Sequence, residues 1–221
     1  MRWEQLFDSE FAAETAVRHR TFAWDQVDGS CGSAEHEFVA RGYELERTVG
    51  LIAPLEAVRA HRRENREVRV RALDPARGTD NDLWEQVVAL QVAGRDERED
   101  EASFERYCRQ RLEDLRALFR RGRGSWYVAL EADTDEVVAS CGLVVTSGRG
   151  RYQYVETAAA HRRRGICSRL VVEAAHHAAR QWRAEHFVIA ADPDYHALGL
   201  YESLGFRQQE RVSGVIMRPP R

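Results

Sequence analysis

Cysteine is scarce in this sequence. The four present, Cys31, Cys108, Cys141 and Cys167, are scattered with no C-x-x-C pair among them. That excludes a disulfide framework and a thiolate zinc knuckle, and it points to a reducing compartment, the cytoplasm. Long apolar runs are missing too. Without about eighteen consecutive apolar residues no helix spans a bilayer, and the charged opening Met-Arg-Trp-Glu-Gln-Leu-Phe-Asp has no apolar core for a signal peptide. Neither sign of charge dominates: 33 Lys and Arg against 36 Asp and Glu leave a net −3, although charged residues make up 31% of the chain. Such balance argues against a dedicated nucleic-acid binder, despite the arginine runs near residues 120–123 and 162–164. No metal site is expected either. His176 and His177, neighbours on a helix, point about 100° apart and cannot share an ion on one face.

What remains is an ordinary globular balance, 43% hydrophobic over 221 residues, enough for one large domain or a domain with a smaller appendage. The chain divides at the highly charged residues 61–66, giving an N-terminal segment, 1–66, and a main domain, 67–221. In the first, Trp3, Leu6, Phe7, Phe11 and Ala12 recur at helical spacing over residues 2–16. A short strand at 21–24, a brief helix at 34–41 closed by Gly42, and a strand at 43–53 follow. The second opens with an alternating strand at 68–72. Asp80 or Thr79 then caps a helix carrying Leu83, Trp84, Val87, Val88 and Val92. Phe104, Tyr107, Leu112, Leu115 and Leu118 mark a longer helix, its cationic end meeting the negative pole of the helix dipole before Gly122 and Gly124. Strands at 125–131, 137–145 and 151–157 are joined by turn sequences that favour antiparallel hairpins. A helix bearing Ile166, Leu170, Val171, Ala174, Ala178 and Trp182, a strand at 186–190, a helix at 195–204 and a last strand pair ending at 215–217 complete an α+β order.

The junction between the third of those strands and its helix carries the chemistry. A helix start leaves several N–H groups unpartnered and holds about half a positive charge, so it suits a phosphate. Gly165 removes a Cβ that would keep a bulky pyrophosphate from the backbone, and Arg162, Arg163 and Arg164 add charge around the opening. The bland alternative is a strand-loop-helix junction with a solvated basic tip.

Two motifs in the required order resemble the GNAT superfamily of acetyl-CoA-dependent N-acyltransferases. The coenzyme loop R/Q-x-x-G-x-G/A stands here as Arg162-Arg163-Arg164-Gly165-Ile166-Cys167, with cysteine in the last position. Asp194-Tyr-His-Ala197-Leu-Gly-Leu200-Tyr201-Glu-Ser-Leu204-Gly205-Phe206 is similar to the family's N-x-x-A-x-x-L-Y-x-x-x-G-F, with aspartate for asparagine. The resemblance covers residues 67–221. Residues 1–60 look like the N-terminal portion of tandem GNAT-like proteins, shortened and without a coenzyme loop of their own. A fragment of that size has to complete its sheet against the main domain or another chain, which leaves a homodimer open.

The resemblance implies a layered α/β/α fold, its mixed, mostly antiparallel sheet splayed between central strands and flanked by helices. It implies acetyl-CoA as co-substrate, with pantetheine along the backbone of Val155 and Thr157, and pyrophosphate at Arg162, Arg163, Arg164, Gly165, Ile166, Cys167 and Ser168. Asp194 stands in the coenzyme-side position of the second motif. Tyr201 matches the general acid that protonates or hydrogen-bonds the departing thiolate. A phenol of pKa ~10 gives up its proton to a thiolate of conjugate pKa ~8.5 only uphill, by about 2 kcal/mol in water, so the help comes while the carbon–sulfur bond is breaking. The acceptor, an amine on a small molecule or peptide, must first lose a proton, at about 4.6 kcal/mol for an ammonium of pKa ~10.4 at pH 7. Strand alternation makes Glu156 the first base candidate, with an exposed strand residue as its bland alternative. Asp192, Asp194 and His196 crowd the other side of the cleft, where Asp-Pro-Asp is also ordinary turn chemistry. Cys167 sits where a helix start lowers a thiol pKa, but direct transfer from thioester to amine needs no covalent enzyme intermediate. The rival from a different class is a non-catalytic acyl-CoA-binding module.

Overall fold

The computed structural model describes residues 2–14, 17 and 19–218. In chain order it has α1 (Arg2–Glu10), β1 (Arg20–Trp24), α2 (Ala34–Val39), β2 (Glu44–Pro54), β3 (Arg69–Leu73), α3 (Asn81–Ala93), α4 (Glu101–Arg120), β4 (Gly124–Leu130), β5 (Val137–Thr146), β6 (Arg149–Thr157), α5 (Ile166–Trp182), β7 (His186–Ala191), α6 (Ala197–Ser203) and β8 (Arg207–Met217).

Every residue of β4 is buried, which requires cover on both faces of the sheet. Alternation divides the work. Trp126, Val128 and Leu130 pack with Trp84, Val87 and Val88 of α3 and with Leu112 and Phe119 of α4. Tyr127 and Ala129 point the other way, into a core with Leu170, Val171, Ala174 and Ala178 of α5 and with Tyr201 and Leu204 on and just after α6. Helices therefore cover both sides, and the α+β order read from the sequence is the one observed. The eight strands form one sheet in the order β1-β8-β2-β7-β6-β5-β4-β3. Strands β3 to β6 pair antiparallel in succession, and β6 with β7 is a parallel pair.

The N-terminal strands do not stand apart. β2 lies between β7 and β8, antiparallel to both, and β1 pairs with the outer side of β8. Val49, Leu51 and Ala53 of β2 enter the same core as α5 and α6. At the far edge Phe38, Tyr43 and Val215 form a small core of their own, with Phe22, Trp24 and Leu45 packed against it.

Three expectations need correction. The helix expected over residues 2–16 ends at Glu10; residues 11–14 are turn and loop, and Thr15 and Ala16 lie outside the described residues. The expected C-terminal strand pair is one eleven-residue strand, β8. It stays continuous because it has neighbours on both edges and needs no hairpin partner from its own end of the chain. Asp80 does occupy the position before α3, yet its carboxylate does not cap the helix. It pairs instead with Arg71 and accepts the Asp74 backbone N–H at 2.8 Å, which ties β3 to the α3 turn. α4, by contrast, is capped by Asp100, whose carboxylate accepts the Ser103 N–H at 2.9 Å.

Candidate active site

β6 and β7 pair only from Arg149 to Arg151 against His186 to Val188. Beyond that register they part, so the β7-facing edge of β6 from Tyr152 to Thr157 has no strand partner among the described residues. On its other edge the β5–β6 register slips between Ser140 and Gly142, and Tyr154, at φ +46°, sits in the slip. An extra residue in one strand of a pair bends and twists it. The gap thus opens where Val155, Glu156 and Thr157 lie.

The chain leaves that gap through a turn at Ala159–His161 and enters α5. The first backbone bond of the helix runs from the Arg169 N–H to the Gly165 carbonyl. The N–H groups of residues 163–168 find no acceptor among the described residues. Arg163 and Gly165 both adopt positive φ, +63° and +76°. A run of bare amides at a helix start is an anion cradle by geometry alone. The residues present therefore fit a diphosphate.

The arginines are not equivalent. Arg162 turns back onto β6, donating from Nε to the Thr157 carbonyl at 3.1 Å and from Nη2 to Glu156 Oε1 at 3.0 Å. Arg164 lies 3.7 Å from Glu67. Arg163 is exposed and has no partner among the described residues. The side chains of Ile166 and Ser168 are buried, so these residues can offer a ligand only their backbone.

Gly165 has a different reason from the one its sequence context suggests. A Cβ there would lie 2.0 Å from the carbonyl oxygen of Arg63 and 2.8 Å from the Asn65 nitrogen, whose N–H donates to the Gly165 carbonyl at 3.2 Å. The missing side chain makes room for residues 63–65, which Asn65 in turn fixes by accepting the Glu67 and Val68 N–H groups at 2.8 and 3.0 Å. Gly165→Ala is expected to lower the melting temperature by several degrees. The left-handed backbone alone costs a non-glycine residue about 1–2 kcal/mol, and the Arg63 carbonyl must also move. Differential scanning calorimetry checks this, and an unchanged melting temperature would contradict the contact.

Tyr201, buried on α6, packs its ring 6.3 Å from that of Phe206. Its hydroxyl has no hydrogen-bond partner among the described residues and is not sealed from solvent. Burial, reinforced by Cys167, Cys141 and Glu156, holds its pKa well above the ordinary phenol value. Cys167, half-buried, is pushed up to about 12 by burial first and the Glu156 carboxylate second. The helix-start effect does not win there, and the thiol stays protonated and inert. Glu156 acts electrostatically on both, so Glu156, Cys167 and Tyr201 share one neighbourhood. The Glu156 carboxylate also packs on the end of α3, where a Cβ on Gly94 would meet its Cδ at 3.0 Å.

Asp194 stands elsewhere. Its N–H donates to Asp192 Oδ1 at 2.8 Å, the turn chemistry expected of Asp-Pro-Asp. It lines a cavity of about 390 Å³ with Asp28, Arg47, Leu198 and Arg211, and no residue of 155–168 shares that lining. Sequence reasoning missed Asn65, whose Asx turn over residues 65–68 is local but whose backbone contact with Gly165 is not, and a cluster of Gln91, Tyr107, Arg111 and Tyr154. In that cluster only the i,i+4 spacing of Tyr107 and Arg111 on α4 was there to be seen.

A layered sheet parted at its parallel pair, with bare amides at the start of the helix that leaves the gap, defines an acetyltransferase fold. The chain belongs to the acetyltransferase (GNAT) family, whose model matches residues 84–206. That membership supports an acyltransferase function. None of the curated proteins matches the chain. Among solved structures it is similar to a functionally unknown conserved protein from Staphylococcus epidermidis (TM-score 0.73, 10% identity, covering 98% of this chain and 79% of that one). It is similar also to a GCN5-related N-acetyltransferase from Sphaerobacter thermophilus (0.68, 18%, 100% and 67%), and to a tandem GNAT protein from the clavulanic acid biosynthesis pathway (0.65, 15%, 100% and 70%). At these identities the likeness is one of fold. Among the described residues no helix is long and apolar enough to cross a membrane.

Proposed function

We propose that this protein is an N-acetyltransferase that passes an acetyl group from acetyl-CoA directly to an amine acceptor while both are bound. The observation that carries the reading is the run of unpartnered amides at residues 163–168, set at the mouth of the β6–β7 gap. Acetyl-CoA supplies the acetyl group as an activated thioester. The amides and Arg163 hold the diphosphate, and the free edge of β6 at Val155 and Thr157 offers backbone groups to the pantetheine. Tyr201 keeps a proton for the departing sulfur. Glu156 receives the proton that the acceptor ammonium must lose, through Oε2, since Oε1 is engaged by Arg162. Arg162 positions Glu156 with Nη2 and holds the end of β6 with Nε.

Acetyl-CoA is expected to raise the melting temperature. A ligand at 100 times its Kd adds about 2.7 kcal/mol, which is roughly 5–10 °C for a chain of this size. Arg163→Ala is expected to reduce that shift without changing the melting temperature of the free protein, because its exposed side chain has no partner among the described residues. Thermal unfolding with and without acetyl-CoA checks both, and no shift at millimolar ligand would overturn the reading. Binding without thiol release across a broad amine panel would favour a non-catalytic acyl-CoA-binding role.

A further inference from the structure

On the α3–α4 side of the β6 gap, Arg111 of α4 holds its guanidinium against two phenol rings, 3.0 Å from the Tyr154 centroid and 5.0 Å from that of Tyr107. Nη2 donates to Oε1 of Gln91 on α3 at 2.5 Å. That contact fixes the amide's orientation, because its oxygen has to face the guanidinium. Among the described residues Gln91 Nε2 is then left with no acceptor, on a residue only 5% exposed, and Arg111 Nε and Nη1 are buried with none either. The two phenol oxygens are 2.8 Å apart, so one O–H is spent between them and the other is spare. No carboxylate among the described residues forms an ion pair with Arg111. Tyr154 supplies no counter-charge: burial, then the hydrogen bond with Tyr107, pushes it up to about 12, so it stays neutral.

The buried unsatisfied atoms of this cluster, Gln91 Nε2 and Arg111 Nε and Nη1, are all donors. A half-buried guanidinium with two nitrogens sealed from water and no anionic partner is unfavourable, and stacking on aromatic faces offsets only part of that cost. An acceptor-only, planar anion completes the set, and a guanidinium fork matches a carboxylate. The cluster's place relates it to the reaction. Tyr154 occupies the register slip of β6 directly before Val155, and Gln91 lies one turn of α3 before Gly94, on which the Glu156 carboxylate packs. Tyr154, 44% exposed, covers one face of the guanidinium.

We propose that Arg111, Gln91 and the Tyr107–Tyr154 pair form a subsite for a carboxylate carried by the acceptor, so that the acceptor class is amino acids and other amines bearing a carboxylate. This rests on the acetyl-transfer reading for its place in the reaction, but binding tests it separately. The probes are the twenty common L-amino acids and their carboxamides, applied to the full chain in thermal-shift and thiol-release measurements, with acetyl-CoA titrated in parallel. At least one amino acid is expected to outperform its carboxamide by about tenfold or more. Arg111→Met is expected to abolish that preference, Gln91→Leu to weaken it, and both to leave acetyl-CoA binding intact. Arg111→Lys, which keeps the charge and loses the fork, is expected to retain part of it. Equal responses to acid and amide, no response to any amino acid, a preference that survives Arg111→Met, or a stronger response to an aminoalkyl phosphonate would each overturn the subsite. Discrimination of acid from amide in a protein that fails to bind acetyl-CoA would keep the subsite and remove the acetyl-transfer reading.

Discussion

Tyr201→Phe is expected to lower kcat by about 10²- to 10⁴-fold, the range of a lost general acid, with acetyl-CoA affinity and melting temperature unchanged. The substitution isolates one atom. Phenylalanine keeps the ring that packs beside Phe206 and fills the core shared by α5 and α6. The hydroxyl has no protein partner among the described residues, so its removal breaks no hydrogen bond and orphans no other group. What is lost is a proton held in a buried setting. Burial and the neighbouring Cys167, Cys141 and Glu156 keep the phenol neutral across the working range of pH. The pH profile should therefore show no limb from Tyr201 below about pH 10, its unperturbed value. The same shift makes complete proton transfer harder than in water, so the contribution is a strong hydrogen bond to sulfur as charge develops. Initial rates of thiol release, with coenzyme affinity from calorimetry, decide the matter. A variant with unchanged kcat takes Tyr201 out of the mechanism.

Elements governed by local periodicity were legible in the sequence. The apolar spacing on α3, α4 and α5, the turns between β4, β5 and β6, and the glycine at the start of α5 are near-neighbour properties, and each was found within a few residues. Pairing at long range was not. Alternation in residues 44–54 says which side chains share a face but not which strands lie beside them, so nothing in the sequence placed β2 between β7 and β8. The site was legible to the same degree. The helix start could be read from the local residues and Tyr201 came from the resemblance of its motif, whereas the contact of Gly165 with Arg63 joins residues about a hundred positions apart. The Gln91–Arg111–Tyr154 cluster draws one residue from each of three elements. Asp80 shows the opposite failure: a residue that fits a helix cap locally was claimed by Arg71 and the Asp74 N–H instead.

A chain reduced to residues 67–221 is expected to be insoluble or molten and to bind no acetyl-CoA, although it contains both coenzyme-side motifs. Removing β2 leaves β7 and β8 with facing, unpaired edges across the width of a missing strand, and bare edges of this kind aggregate. It also strips the core of Val49, Leu51 and Ala53, each at most 2% exposed. Losing one such large side chain typically costs about 2–5 kcal/mol, against a total stability of about 5–15 kcal/mol for a domain. The connection after β2 matters as much, because it touches both motifs. The Leu55 N–H donates to the Glu185 carbonyl at 2.8 Å and the Arg59 N–H to the Leu204 carbonyl at 3.0 Å. Gly205 leaves room for the Ala57 carbonyl, 2.0 Å from where a Cβ would stand, as Gly165 does for Arg63. Two glycines from different motifs thus receive one strap, residues 57–65, which holds the start of α5 and the end of α6 in place. Supplying residues 1–66 as a separate chain during expression should restore solubility and the thermal shift with acetyl-CoA, since β2 needs only to dock between β7 and β8. If residues 67–221 alone are soluble, unfold cooperatively and bind acetyl-CoA with the affinity of the full chain, then the N-terminal strands are an appendage and the strap has no part in shaping the coenzyme loop.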